Sequence, residues 1–98
     1  MLEIIQENDE FVVKPTGNVV ASIVNEFRGS LKEIVDQEKQ IIIDLQNVEM
    51  IDSMGLGALI ATHNSMQKYD QRLKLINVSK DLTTLIKTMR LDQHFDMK

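Results

Sequence analysis

The sequence predicts an α/β domain with a mixed, mostly parallel sheet in the order ββαβαβαβ, and three observations carry that reading. Two short β-favouring runs near the start are split by a polar insert, the pattern of a hairpin. The run Ile41-Ile42-Ile43-Asp44-Leu45 is almost continuously apolar, as in a central strand covered on both faces or nearly so. After the hairpin, stripes with helical spacing alternate with strand-like runs, which argues for parallel pairing through right-handed crossovers.

Leu2 to Gln6 and Phe11 to Lys14 are the first two predicted strands, joined through Glu7-Asn8-Asp9-Glu10. Asparagine and aspartate suit the turn because their side chains bond locally and tolerate left-handed backbone. Pro15-Thr16-Gly17 ends the second strand. From Val19 to Val35 the apolar residues Val20, Val24, Phe27, Leu31, Ile34 and Val35 fall at three- and four-residue steps, a helix that Asn18 can cap. Gly29 costs about 1 kcal/mol against alanine within it, which leaves a kink or a close packing contact open there. Residues 36–40 form a loop before the central strand. A polar turn follows, and then Leu56, Leu59, Ile60, His63 and Met66 line one face of a second helix. Arg72 to Val78 reads as a strand, Ser79 as the cap of a helix carrying Leu82, Leu85, Ile86 and Met89, and His94 to Met97 as a last short strand.

With 98 residues and 43% hydrophobic content, the chain fits one domain over residues 1–98 with one core. Fifteen acidic against eleven basic residues give a net charge of −4. A nucleic-acid partner is not expected, because a phosphate backbone calls for a basic face. No cysteine is present, which removes disulfides, thiolate catalysis and cysteine-ligated zinc. His63 and His94 are too far apart in sequence for a local metal motif, so no metal site is assigned. No run approaches the roughly 18 apolar residues of a membrane span. The start of the chain lacks a basic, signal-like region, and a cytoplasmic location without membrane attachment is the expectation.

The chemistry concentrates in Ile51-Asp52-Ser53-Met54-Gly55-Leu56-Gly57, a turn that opens the second helix on a serine. Helix N-termini expose unpaired N–H groups and favour negative charge. Ser53 therefore has three readings. As a nucleophile it lacks the Gly-x-Ser-x-Gly elbow, and His63 lies roughly 15 Å away along the helix axis, so an enzyme is not expected. As a plain N-cap it accepts a backbone N–H, worth about 1 kcal/mol. As a phosphoacceptor it gains about −1.5 to −2 charges at the positive end of a helix. Asp52 is favoured near a helix start in any case, and can also present the hydroxyl to a kinase or hold the kinase's magnesium. Asp44 reads as a turn former. Gly55 and Gly57 are poor helix formers in a first turn, which asks for another reason for their presence. Spacing alone leaves these choices open.

The same residues, with Ile43-Asp44-Leu45, Val48, Gly17, Leu73-Lys74-Leu75-Ile76-Asn77-Val78-Ser79 and Met89-Arg90-Leu91-Asp92-Gln93-His94-Phe95, resemble the STAS family, in particular the bacterial anti-sigma factor antagonists. The resemblance runs over nearly the whole chain and implies a mixed sheet with helices mainly on one side. It implies that Ser53 is phosphorylated by a partner that is both an ATP-dependent serine kinase and an anti-sigma factor. The unphosphorylated form binds that kinase and frees the sigma factor, and a metal-dependent phosphatase restores it. Asp52, Ser53, Met54, Gly55, Leu56 and Gly57 are then the partner-binding residues. No cofactor is implied for this chain, since ATP and magnesium belong to the kinase, and the free chain is expected to be a monomer. One departure stands out: Val20 occupies the place where many relatives carry an acidic residue near the serine. A scaffold subunit of a signalling or transport assembly, without phosphorylation, is the alternative the resemblance allows.

Overall fold

The computed structural model describes residues 2–97. Strand β1 (Leu2–Glu7) turns through Asn8 and Asp9 into β2 (Glu10–Pro15). Asn8 takes φ 51°, the left-handed conformation that suits asparagine in a tight turn. Helix α1 (Val24–Val35), strand β3 (Gln40–Asp44) and helix α2 (Ser53–Met66) follow, then one 3-10 turn (Gln67–Tyr69). Strand β4 (Lys74–Ile76), helix α3 (Lys80–Thr88) and strand β5 (Asp96–Met97) complete the chain. The predicted order holds in every element.

The five strands lie in sequence order, β1-β2-β3-β4-β5, with β1 antiparallel to β2 and every later pair parallel. Each crossover therefore steps to the next strand in the same direction, and crossovers of one hand place the helices on one face. The register shows which face that is. Phe11 pairs with Ile41, and Val13, Ile43, Leu75 and Met97 follow in register across four strands. All but the edge residue Met97 are buried, and they share one core with Phe27 and Leu31 of α1, Leu59 and Met66 of α2, and Ile86 of α3. The opposite face carries Val12, Ile42, Lys74 and Asp96 in register. Ile42 is buried there without joining that core, so β3 is shielded on both sides as its apolar run predicts.

Several expectations are corrected. The first helix starts at Val24 rather than Val19, because Val19 is drawn into a parallel bridge with Ile51. Asn18 consequently does not cap it; Ile23 stands at the N-cap with no side-chain bond. Gly29 makes no close contact, since a Cβ built there would meet nothing within 4 Å. The strand predicted from Arg72 is shorter at both ends. Arg72 instead turns its guanidinium onto the carbonyls of Gln93, His94 and Phe95 at 2.9–3.2 Å, fastening the approach to β5. Ser79 caps α3 as expected, accepting the Leu82 N–H at 3.2 Å. Met89 falls just past that helix and is exposed rather than packed.

Candidate functional site

β3 ends at Asp44, whose Oδ1 accepts the Gln46 N–H at 3.0 Å and the Asn77 amide at 2.9 Å. This carboxylate is a turn former that also ties the β3 exit to the β4 exit. The chain then runs through buried Leu45, Val48 and Ile51 to Asp52. Backbone at Asp52 is extended (φ −88°, ψ −177°), and its Oδ1 accepts the Gly55 N–H at 2.9 Å. Asp52, not Ser53, is therefore the N-cap of α2, which corrects the capping reading of the serine. Ser53 is the first residue inside the helix.

That exchange of roles frees the hydroxyl. Ser53 is exposed, and its side chain makes no hydrogen bond among the described residues. By position the Ser53 and Met54 N–H groups have no acceptor within the helix. The site is thus a solvent-facing hydroxyl at the positive, N–H-bearing end of a fourteen-residue helix.

Asp52 works in two directions. Its second oxygen, Oδ2, accepts the N–H of Ala21 from the segment before α1, at 2.9 Å. The Gly55 N–H, and then those of Ala21 and Met54, hold this carboxyl below the usual aspartate range against the opposing effect of burial. With one oxygen on each backbone segment, the carboxylate is a clasp between two loops.

Further bonds continue the clasp. Asn18 Oδ1 accepts the N–H groups of both Glu49 and Met50, at 2.9 and 3.0 Å. Val19 N–H donates to the Met50 carbonyl at 3.1 Å, and Asp52 N–H donates to the Val19 carbonyl at 3.2 Å. Residues 18–21 and 49–52 are thereby zipped together directly beneath the start of α2. Gly55 explains itself here. A Cβ at that position would collide with the Val19 carbonyl and lie 2.8 Å from Ile51 Cγ2 and 2.9 Å from Val19 Cγ1. Gly57 is different, with open space where its Cβ would stand.

Of the six residues assigned to partner contact, Ser53, Met54 and Gly57 are exposed and Asp52 is half-buried. Gly55 and Leu56 are buried and shape the surface from below instead of forming it. Sequence reasoning missed Asn18, Val19 and Ala21, which frame the site from the loop before α1. Val20 lies in that same loop, half-buried. Only the β-branched pair Val19-Val20, poor material for a helix start, hinted that this segment is extended.

The far end of α2 carries His63, buried and packed edge-on against Phe95 and His94, with ring centroids 5.6 and 5.9 Å away. It takes no part in the serine site. Burial, then the charges of His94 and Arg72, lower its pKa from the ordinary histidine value. Among the described residues no group of three histidine or acidic side chains is placed to hold a metal ion. No helix among the described residues is long and apolar enough to cross a membrane.

Known structures reproduce this architecture. TM1081 of Thermotoga maritima is similar over 98% of this chain and 84% of its own, with a TM-score of 0.89 and 18% identity. The anti-sigma factor antagonist SpoIIAA of Bacillus, in its unphosphorylated form, matches 100% of this chain and 87% of its own at a TM-score of 0.81 and 16% identity. A sulfate transporter family protein from Wolinella succinogenes matches 95% of this chain and 80% of its own, at a TM-score of 0.76 and 18% identity. At these identities the likeness establishes the fold. The STAS domain model matches residues 1–98, and the chain belongs to the STAS domain family.

Proposed function

We propose that this chain is a phosphorylation-controlled binding module, an antagonist of an anti-sigma factor. The observation that carries the reading is the exposed, unbonded Ser53 hydroxyl at the first position of α2, with Asp52 doing the capping. A serine needed only as a cap would spend its oxygen on a backbone N–H, and this one does not. The unphosphorylated chain binds a partner that is both serine kinase and anti-sigma factor, through Ser53, Met54 and Gly57. Phosphate transfer to Ser53 ends that binding, and a metal-dependent phosphatase reverses it. ATP and magnesium are the kinase's, this chain performs no catalysis, and the exchange takes place in the cytoplasm. SpoIIAA, whose structure is also known in a phosphorylated form, supports the reading by likeness.

The switch acts at the interface more than in the fold. A phosphate on Ser53 meets the positive end of α2 and the Ser53 N–H, which by position has no acceptor within the helix, and both favour it. Asp52, next to it, has both oxygens committed to backbone donors. A dianion buried against a partner surface without cations costs several kcal/mol, a hundredfold or more in affinity. Binding of Ser53→Ala and Ser53→Asp to the cognate kinase tests this. Ser53→Ala should bind like the wild type and Ser53→Asp at least tenfold more weakly, whereas equal affinities contradict repulsion at the interface.

The Wolinella protein favours a second reading, a STAS subunit of a larger assembly in which Ser53 is never modified. Purification of a stable stoichiometric complex whose composition is unchanged by Ser53→Asp supports that reading over the first.

A further inference from the structure

Away from the serine, a groove of about 390 Å³ lies between α1 and α2. Buried Leu31 and Ala58 belong to its floor. Arg28 and Lys32 stand on the α1 side, both exposed, and Ala61 and Ser65 on the α2 side. Gly29 keeps it open, since no atom lies within 4 Å of where its Cβ would be. No carboxylate lines the groove, on a chain with fifteen acidic residues against eleven basic ones. Neither cation makes a salt bridge among the described residues. Asp36, one turn beyond Lys32, is instead engaged by Lys68 at 3.2 Å and the Tyr69 hydroxyl at 3.0 Å. The one hydroxyl buried here, that of Thr62, is bonded to the Ala58 carbonyl at 2.9 Å and asks for no partner.

We infer that this groove is a docking site for an acidic α-helix of a protein partner, one presenting two carboxylates a helical turn apart. Arg28 and Lys32 are four residues apart on α1, which sets them about 5–6 Å from each other at Cβ, the spacing of a carboxylate pair at i and i+4. Small side chains at Gly29, Ala58, Ala61 and Ser65 let a third helix approach to the usual interaxial distance of roughly 8–10 Å. An acidic chain that sets two cations, neither in a salt bridge among the described residues, around a depression lined by no carboxylate is complementary to negative charge there. The groove lies beyond the serine along α2 and borders its surface near Gly57: Ala61 lies eight residues beyond Ser53, about 12 Å along the helix axis. The inference does not depend on phosphorylation.

A photo-crosslinking amino acid, benzoylphenylalanine, at Ser65 in the full chain tests this in the cells that make the protein, with the adduct mapped by mass spectrometry. The expected adduct is a segment of another protein with acidic residues three or four apart. Arg28→Glu with Lys32→Glu should reduce its yield at least tenfold without moving the melting temperature. Should that double reversal disturb folding, Arg28→Gln with Lys32→Gln serves in its place. An adduct that survives charge removal overturns the inference. So does one on a segment without carboxylates, on a lipid or on a second copy of this chain, or a yield no higher than with the probe at Glu7 in the hairpin.

Discussion

At Gly55 and Gly57 two glycines two residues apart, on opposite sides of α2, do opposite work. A methyl group at Gly55 must displace backbone, because the Val19 carbonyl and the Ile51 and Val19 side chains already occupy its place. Gly55→Ala should cost about 1–3 kcal/mol, the usual penalty for overpacking, read from urea denaturation. Gly57→Ala meets open space and should raise stability by up to about 1 kcal/mol through helix propensity alone. If the flat surface at Gly57 exists for a partner, that stabilised variant should bind the kinase more weakly, which calorimetric titration can measure. Asn18→Ala leaves the Glu49 and Met50 N–H groups without their acceptor and should destabilise by about 1–2 kcal/mol, despite lying in a loop.

Helix α2 joins these residues to the rest of the molecule, and it shows where local pattern suffices and where it fails. Its existence, its face of Leu56, Leu59, His63 and Met66, and its start at the Asp52-Ser53 turn follow from spacing and capping chemistry. Which of the two residues caps it does not follow, because aspartate and serine are about equally good caps. The decision is made by Ala21, thirty-one residues away, whose N–H holds the second oxygen of Asp52. Helix α1 shows the same limit. Its stripe from Val24 to Val35 was legible, but its start was not, since Val19 satisfies the periodicity and is claimed by Ile51 through long-range pairing. Arg72 and Asn18 were likewise illegible, as both act on carbonyls or N–H groups of distant segments. Disruption of the clasp should therefore be felt at both helices. Asp52→Ala should cost about 1–2 kcal/mol and raise amide exchange at Ala21 and Gly55 together.

For the molecule as a whole, pH should act in two separate windows. His63 has its pKa lowered by burial, so the unfolded chain binds a proton more readily than the fold does. Stability is then highest above the unfolded histidine pKa of about 6.5 and falls as pH drops below it. Asp52 and Asp36 are held below the ordinary aspartate value, Asp52 chiefly by the Gly55 N–H and Asp36 by Lys68. Their contribution is present above about pH 3.9 and is lost as pH falls through their folded values. Thermal melts across pH should show the first decline disappear in His63→Gln while the second persists; a first decline unchanged by that substitution contradicts the assignment. Through all of this the exposed Ser53 hydroxyl stands apart, with no hydrogen bond among the described residues. The most direct measurement is intact-protein mass spectrometry of the chain from its own cells, before and after stress, with site mapping. The account predicts two masses separated by one phosphate, in proportions that shift with stress, the phosphate on Ser53. A single unmodified mass under every condition, or a phosphate on another residue, contradicts it.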